Sequence, residues 1–195
     1  MDEGYIKFKS DWRQTQRMSY SHIRNLNEWR QRLYTVNFLG VYEDGIGFGN
    51  VSQRSAGNHF YISGSKTGSI AQLDESHYAE VIDYDIAHNS VVCEGQTIAS
   101  SESMSHAVIY DHCDHVNAVF HVHHLKLWEE LLWKVPTTPE SAPYGSPEMA
   151  NEIVKLLKTT NVQQTRLFVM AGHREGLFAF GSSLDEAGEI LLDLL

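Results

Sequence analysis

Cysteine and proline are scarce: the 195 residues include two of the first and four of the second. Cys93 and Cys113 are too few for the disulfide framework of a small secreted protein, so a reducing compartment is expected. Positive charge is also in deficit, with 15 Lys and Arg against 25 Asp and Glu and a formal net charge of -10. That balance repels phosphodiester backbones and anionic lipid, which argues against a nucleic-acid partner. No run approaches the ~20 consecutive apolar residues that cross a bilayer, so no membrane partner is expected. Met1 to Asp11 is charged and lacks the apolar core of a secretory signal. The expectation is a soluble, cytoplasmic protein. Internal repeats and low-complexity tracts are missing, and so are the common nucleotide motifs. Gly45-Ile46-Gly47-Phe48-Gly49 has the wrong spacing for a dinucleotide fingerprint, and Ser65 stands where a P-loop needs glycine before its lysine.

Apolar residues make up 42% of the chain, including 4 Trp, 9 Tyr and 8 Phe. At ~150 residues per domain this supplies one core, and a single domain over 1–195 is expected. Helical spacing of Ile23, Leu26, Trp29 and Leu33 predicts an opening helix, with Ser19 or Ser21 as its cap. Asn50 to Arg54 and His59 to Ile62 read as short strands. Ala79 to Ile86 and Ser90 to Glu94 read as a hairpin, with Asn89 able to take a positive φ in its turn. Ser100-Ser101-Glu102 looks like a helix start, the serines as an N-cap pair and Glu102 in the first turn. Asn117 to His123 is a continuous apolar run suited to a buried strand, followed by a helix over Leu125 to Leu132. All four prolines fall between Val135 and Pro147, which predicts a loop leading to a helix from about Ser146 to Leu157. Arg166 to Ala171 and Gly176 to Phe180 read as strands, and Leu184 to Leu195 as a closing amphipathic helix. Strands and helices mixed on one core predict a layered α/β or α+β domain.

Histidine is abundant, with eleven copies. In Phe120-His121-Val122-His123-His124 the two imidazoles at 121 and 123 share one strand face while Val122 turns into the core. Such a pair suits zinc or a neighbouring divalent ion, although two half-exposed strand histidines would look the same. A third ligand is then required. His173 is the best one, since it follows the apolar run Leu167-Phe168-Val169-Met170 and lies between Gly172 and Gly176. His112-Cys113-Asp114-His115 also has ligand types, but falls at a helix end, where histidine meets the last carbonyls. Glu102 is the candidate acid or base, with a capping carboxylate as its plainer role. Two glycine-permitted turns, Gly49-Asn50-Val51-Ser52 and Ser63-Gly64-Ser65-Lys66-Thr67-Gly68, offer amides and hydroxyls. Together with the helix start at Ser100-Ser101 they could hold an anion or be ordinary polar turns.

Taken in order, these pieces resemble the class II aldolase and adducin head family. The resemblance runs through Gly49-Asn50-Val51-Ser52-x-Arg54, Ser63-Gly64, Ser100-Ser101-Glu102, His121-Val122-His123 and Gly145-Ser146-Pro147-Glu148-Met149. It continues through Gly172-His173 to Phe180-Gly181-Ser182-Ser183-Leu184-Asp185-Glu186-Ala187, and so covers the chain from about residue 22 onwards. It implies a three-layer α/β/α domain around a central, mainly antiparallel sheet. It also implies a four-fold symmetric homotetramer with sites at subunit interfaces and a divalent metal, usually Zn2+, otherwise Mn2+, Co2+ or Fe2+. Carried over by position, His121, His123 and His173 are the metal ligands and Glu102 the acid/base. Asn50, Ser63, Gly64, Ser100 and Ser101 are the substrate-phosphate contacts. Tyr144 is the tyrosine that such proteins recruit across a subunit interface as a proton donor. The implied activity is retro-aldol cleavage of a small phosphorylated sugar through a metal-stabilised enediolate. A 4-epimerase or dehydratase outcome on the same site, and a non-catalytic, adducin-like oligomerisation module, are the alternatives. All three histidines are present, which favours an enzyme. One departure concerns the third ligand, where the family commonly has His-Gly. Here Arg174-Glu175 intervene before Gly176, so a charged pair is expected near the site.

Overall fold

The computed structural model describes residues 5–16 and 18–195. The chain opens with β1 (Lys9–Gln14) and α1 (Tyr20–Thr35), then a small hairpin of β2 (Gly40–Val41) and β3 (Gly47–Phe48). Four strands follow: β4 (Asn50–Arg54), β5 (Phe60–Ser63), β6 (Tyr78–Asp85) and β7 (Ser90–Gly95). The second half runs α2 (Ser103–His112), β8 (Ala118–His123), α3 (Leu125–Leu131), β9 (Thr137–Thr138), α4 (Pro147–Thr159) and α5 (Val162–Thr165). It ends with β10 (Leu167–Met170), β11 (Gly176–Gly181) and α6 (Leu184–Leu192).

Nine strands form one sheet in the order β1-β7-β6-β5-β4-β8-β11-β10-β9. Neighbours pair antiparallel except β1 on β7 and β9 on β10, so the expected mainly antiparallel sheet is found. Helices cover both faces. Met104 and Val108 of α2 and Met149 and Ile153 of α4 pack with Phe60, Ile62, Phe168 and Phe178 on one face. On the other, Ile23 and Leu26 of α1 and Leu191 of α6 pack with Val51, Phe120 and Val122. The period-two alternation of a strand thus sorts β8, and it sends His121 and His123 to the α2–α4 face, opposite Phe120 and Val122.

Local chemistry explains most of the element ends. Ser146 accepts from Met149 N at 3.1 Å with Pro147 at the first position of α4, and Ser183 accepts from Glu186 N at 3.1 Å to start α6. Asn89 takes φ 48° in the β6–β7 turn, as its residue type suggests. Two expected caps are different. Ser19 stands at the N-cap of α1, but its hydroxyl bonds Ser21 Oγ at 2.7 Å instead of a helix amide. Ser100 and Ser101 precede a tight turn, so Glu102 itself is the N-cap residue of α2 and not a first-turn one. The competing bonds are local: Ser103 donates Oγ to Ser100 O at 2.7 Å. Strand β1 carries no apolar alternation and was not expected. It is a polar edge strand tied in parallel to β7, with Trp12 Nε1 donating to Gly95 O at 3.0 Å.

Gly188 shows how tightly α6 is set on α1. A Cβ there would fall inside the Trp29 ring, whose Nε1 is pinned to Asp185 Oδ1 at 2.7 Å and cannot swing away. Gly188→Ala should therefore lower the unfolding free energy by about 2 kcal/mol, read as a shift of the urea midpoint. An unmoved midpoint would show that the ring has room to slide.

Candidate metal centre and its cleft

His121 and His123 are 1% and 2% exposed on β8, the strand between β4 and β11. His173 is 5% exposed and stands in the turn that links β10 to β11. One ligand atom from each lies within 4.8 Å of the others, and among the described residues this is the group with metal-holding geometry. Aromatic neighbours fix each ring. Phe178 stacks on His121 at 4.5 Å, Phe48 on His123 at 5.4 Å and Tyr144 on His173 at 4.7 Å between centroids. Gly49 makes the approach possible. It holds φ +74°, and a Cβ on it would press on His121 O at 3.1 Å.

The donor set fits a divalent ion. Burial first, and then the neighbouring imidazoles, hold His121 and His123 well below the usual histidine range, so both rings are neutral. His121 donates Nδ1–H to Leu177 O at 3.2 Å, which leaves its Nε2 with a bare lone pair. That atom is 3.1 Å from His123 Nε2, close to the ~3.3 Å edge of a tetrahedron with metal–nitrogen bonds of ~2.0–2.1 Å.

Glu102 lies beside the triad and is 2% exposed. Its Oε2 accepts from Ser105 Oγ at 2.9 Å, and its Oε1 is 3.7 Å from His173 Nδ1. One cleft joins Glu102 and His121 to Asn50, Gly64, Ser100 and Ser101, and Lys66 and Thr67 line it too. The buried Asn50 Oδ1 has no hydrogen-bond partner among the described residues. Ser63 is adjacent, but its hydroxyl accepts from Val51 N at 3.1 Å and it is not a lining residue. The start of α2 opens on this cleft, so the helix dipole favours an anion there. Tyr144 is 6% exposed and packs on its own chain's His173, under the Lys7 ammonium at 3.8 Å from the ring centre.

Other sequence features resolve into structure. Arg54 donates to the carbonyls of Val116, Gly57, Tyr110 and Cys113, so it clamps the end of α2 and stays out of the cleft. His112 Nδ1 meets Val108 O at 3.0 Å, the helix-end role expected for it. Of the Arg174-Glu175 pair, Arg174 is exposed while Glu175 turns inward to Tyr42. Sequence reading missed Tyr42 and Phe48. A lone aromatic in a glycine-rich loop gives no signal of what it faces.

His106 of α2 was also passed over. It is fully buried, bonds Ser52 Oγ at 2.6 Å through Nδ1, and meets the Phe178 ring edge-on beneath His121. Burial pushes its pKa down to about 3. Unfolding restores a value of ~6.5, so between these pH values the unfolded chain binds one more proton than the folded one. The stability His106 contributes is thus complete above the unfolded value and is lost as the pH falls, at ~1.4 kcal/mol per pH unit. His106→Gln should reduce the pH slope of the urea-unfolding free energy between pH 4 and 6 by about that amount. An unaltered slope would mean that His106 is already charged in the folded protein.

Residues 43–128 match the model of the Class II Aldolase and Adducin N-terminal domain. No curated protein matches the sequence significantly. Among solved structures, an L-fuculose 1-phosphate aldolase superposes with a TM-score of 0.67 at 22% identity, over 91% of this chain and 83% of that one. A sugar-phosphate aldolase from Thermotoga maritima gives 0.64 at 18%, over 89% of this chain and 90% of that one. YgbL from Escherichia coli, whose name leaves aldolase, epimerase and decarboxylase open, gives 0.64 at 16%, over 90% and 85%. The chain therefore has the fold of the class II aldolases and carries the class II aldolase and adducin N-terminal domain match through the strand that bears His121 and His123.

Proposed function

We propose that this protein is a metal-dependent lyase that cleaves a small phosphorylated sugar by a retro-aldol reaction. The observation that carries the reading is the buried triad of histidines, with Glu102 beside it and a polar, anion-favouring cleft opening from it. His121, His123 and His173 would hold the ion, with zinc the first candidate for three imidazoles. Bound there, a divalent cation supplies positive charge against the negative charge that develops on oxygens next to the breaking carbon–carbon bond.

The chain's own residues do the rest. Asn50, the Gly64 backbone, Ser100 and Ser101 bind the phosphate, which fixes the reacting end of the sugar near the histidines. The Ser63 hydroxyl supports this bed by holding Val51 N. Glu102 carries the proton through its Oε1, while Ser105 holds the other oxygen so that the carboxylate cannot rotate away. Tyr144 is the second proton carrier, placed by its stack on His173. The reading includes a cytoplasmic homotetramer of single-domain subunits. A 4-epimerase or dehydratase would use the same groups, so product analysis distinguishes them.

Metal analysis of the purified protein beside a His121→Ala, His123→Ala double variant tests the centre. About one divalent ion per subunit in the first and none in the second is expected. A wild-type chain that cannot be loaded would overturn the lyase in favour of an oligomerisation module. With phosphorylated ketoses as substrates, Glu102→Gln should keep its metal and lose about two or more orders of magnitude in turnover. Undiminished turnover would remove Glu102 from the reaction. Ser100→Ala combined with Ser101→Ala should raise KM for a phosphorylated sugar more than it lowers kcat. An unchanged KM would point to a substrate without phosphate.

A further inference from the structure

Tyr42 and Glu175 are neither ligands nor cleft residues, yet a hydrogen-bond chain joins them to the triad. The Tyr42 hydroxyl donates to Glu175 Oε2 at 3.0 Å and lies 2.8 Å from His123 Nδ1. A phenol has one proton to give. With it committed to the carboxylate, the bond to His123 exists only if the phenol oxygen accepts from Nδ1–H. A neutral imidazole protonated on Nδ1 has a bare Nε2, and Nε2 is the atom that faces His121 Nε2 at 3.1 Å. His121 reaches the same tautomer through Leu177 O. Two lone pairs then point at one another, an arrangement that a cation between them makes favourable.

We propose that Glu175 and Tyr42 are positioning residues, a relay that holds His123 in the tautomer and ring orientation needed to ligate a divalent metal. The inference rests on the triad being a metal centre. Both members are themselves held. Tyr42 packs against Phe48 at 4.5 Å between centroids, and Phe48 in turn stacks on His123. Glu175 sits at φ +73°, a costly conformation for a residue with a side chain, and its carbonyl accepts from His124 N at 3.0 Å. The two extra residues between His173 and Gly176 are what bring this carboxylate within reach of Tyr42.

The test uses the metal itself, apart from any sugar. Zn2+ affinity is measured by competition with a chromophoric chelator, and Co2+ is loaded to read its visible spectrum. Tyr42→Phe should bind Zn2+ about tenfold or more weakly and change the Co2+ absorption, as loss of an outer-shell partner does. Glu175→Ala, at a half-exposed position, should show the same loss. Glu175→Gln keeps an acceptor for the phenol and should return affinity to within about threefold of wild type. A part that only supports the fold would shift the urea midpoint of the metal-free protein and show no such pattern. If wild type binds while Tyr42→Phe and Glu175→Ala bind equally well with unchanged Co2+ spectra, the relay falls and the metal centre stands. A wild-type chain that binds neither ion overturns both.

Discussion

Three buried imidazoles packed against one another are the constraint on which the rest of the structure depends. Burial and the neighbouring rings disfavour the charged form of His121 and His123, because charges a few ångströms apart repel strongly in a medium that screens them poorly. The protein therefore has to hold these two rings in their neutral form and to satisfy the remaining nitrogen of each. Leu177 O does this for His121 and the Tyr42 hydroxyl for His123. Burial supplies the neutral state, and hydrogen bonds supply the direction.

The sheet is arranged to meet that demand. Strand β8 lies near its middle, paired with β4 on one edge and β11 on the other, so its two histidines inherit the rigidity of a paired strand. The side-chain alternation that sends Phe120 and Val122 into the α1–α6 core is also what brings His121 and His123 together on the opposite face. The chemistry of the cleft then follows from what surrounds this strand. With a net charge of -10 the chain has few cations to spend, and an anion there meets chiefly backbone amides, hydroxyls and the start of α2, with Lys66 on its border.

This division explains what could be read from the sequence. The histidine pair was legible because period two is a local rule, and the continuous apolar run around it marked a buried strand. Helices α1, α4 and α6 were legible from spacing, and the start of α4 also from Ser146-Pro147 at the end of the proline-rich stretch. The cleft was assembled from Asn50, Gly64, Ser100 and Ser101 only through their order along the chain, since each alone is an ordinary turn. Contacts between residues far apart in sequence were not legible. Tyr42 meets Glu175 across 133 positions, and His106 meets Ser52 across 54. Strand β1 was missed because a polar edge strand is defined by its pairing with β7, not by its own pattern.

Backbone conformation separates turns that merely connect from turns that build the site. Asn37, Asn89 and Gly57 take positive φ in short connections, where asparagine and glycine do so at little cost. Lys66, Trp133, Arg166 and Glu175 do so as residues with long side chains, for which the conformation is expensive. Lys66 borders the cleft and Glu175 supports His123 through Tyr42, while Trp133 and Arg166 stand at the ends of α3 and α5. Gly49 and Gly145 complete the set: the first grazes His121 O, and a Cβ on the second would press on Ser101 O at 3.0 Å. Two of the four costly conformations thus lie beside the histidines and the anion-favouring cleft. At Lys66 and Glu175 the cost has a local return, since these two turns fix the border of the cleft and the carboxylate that meets Tyr42.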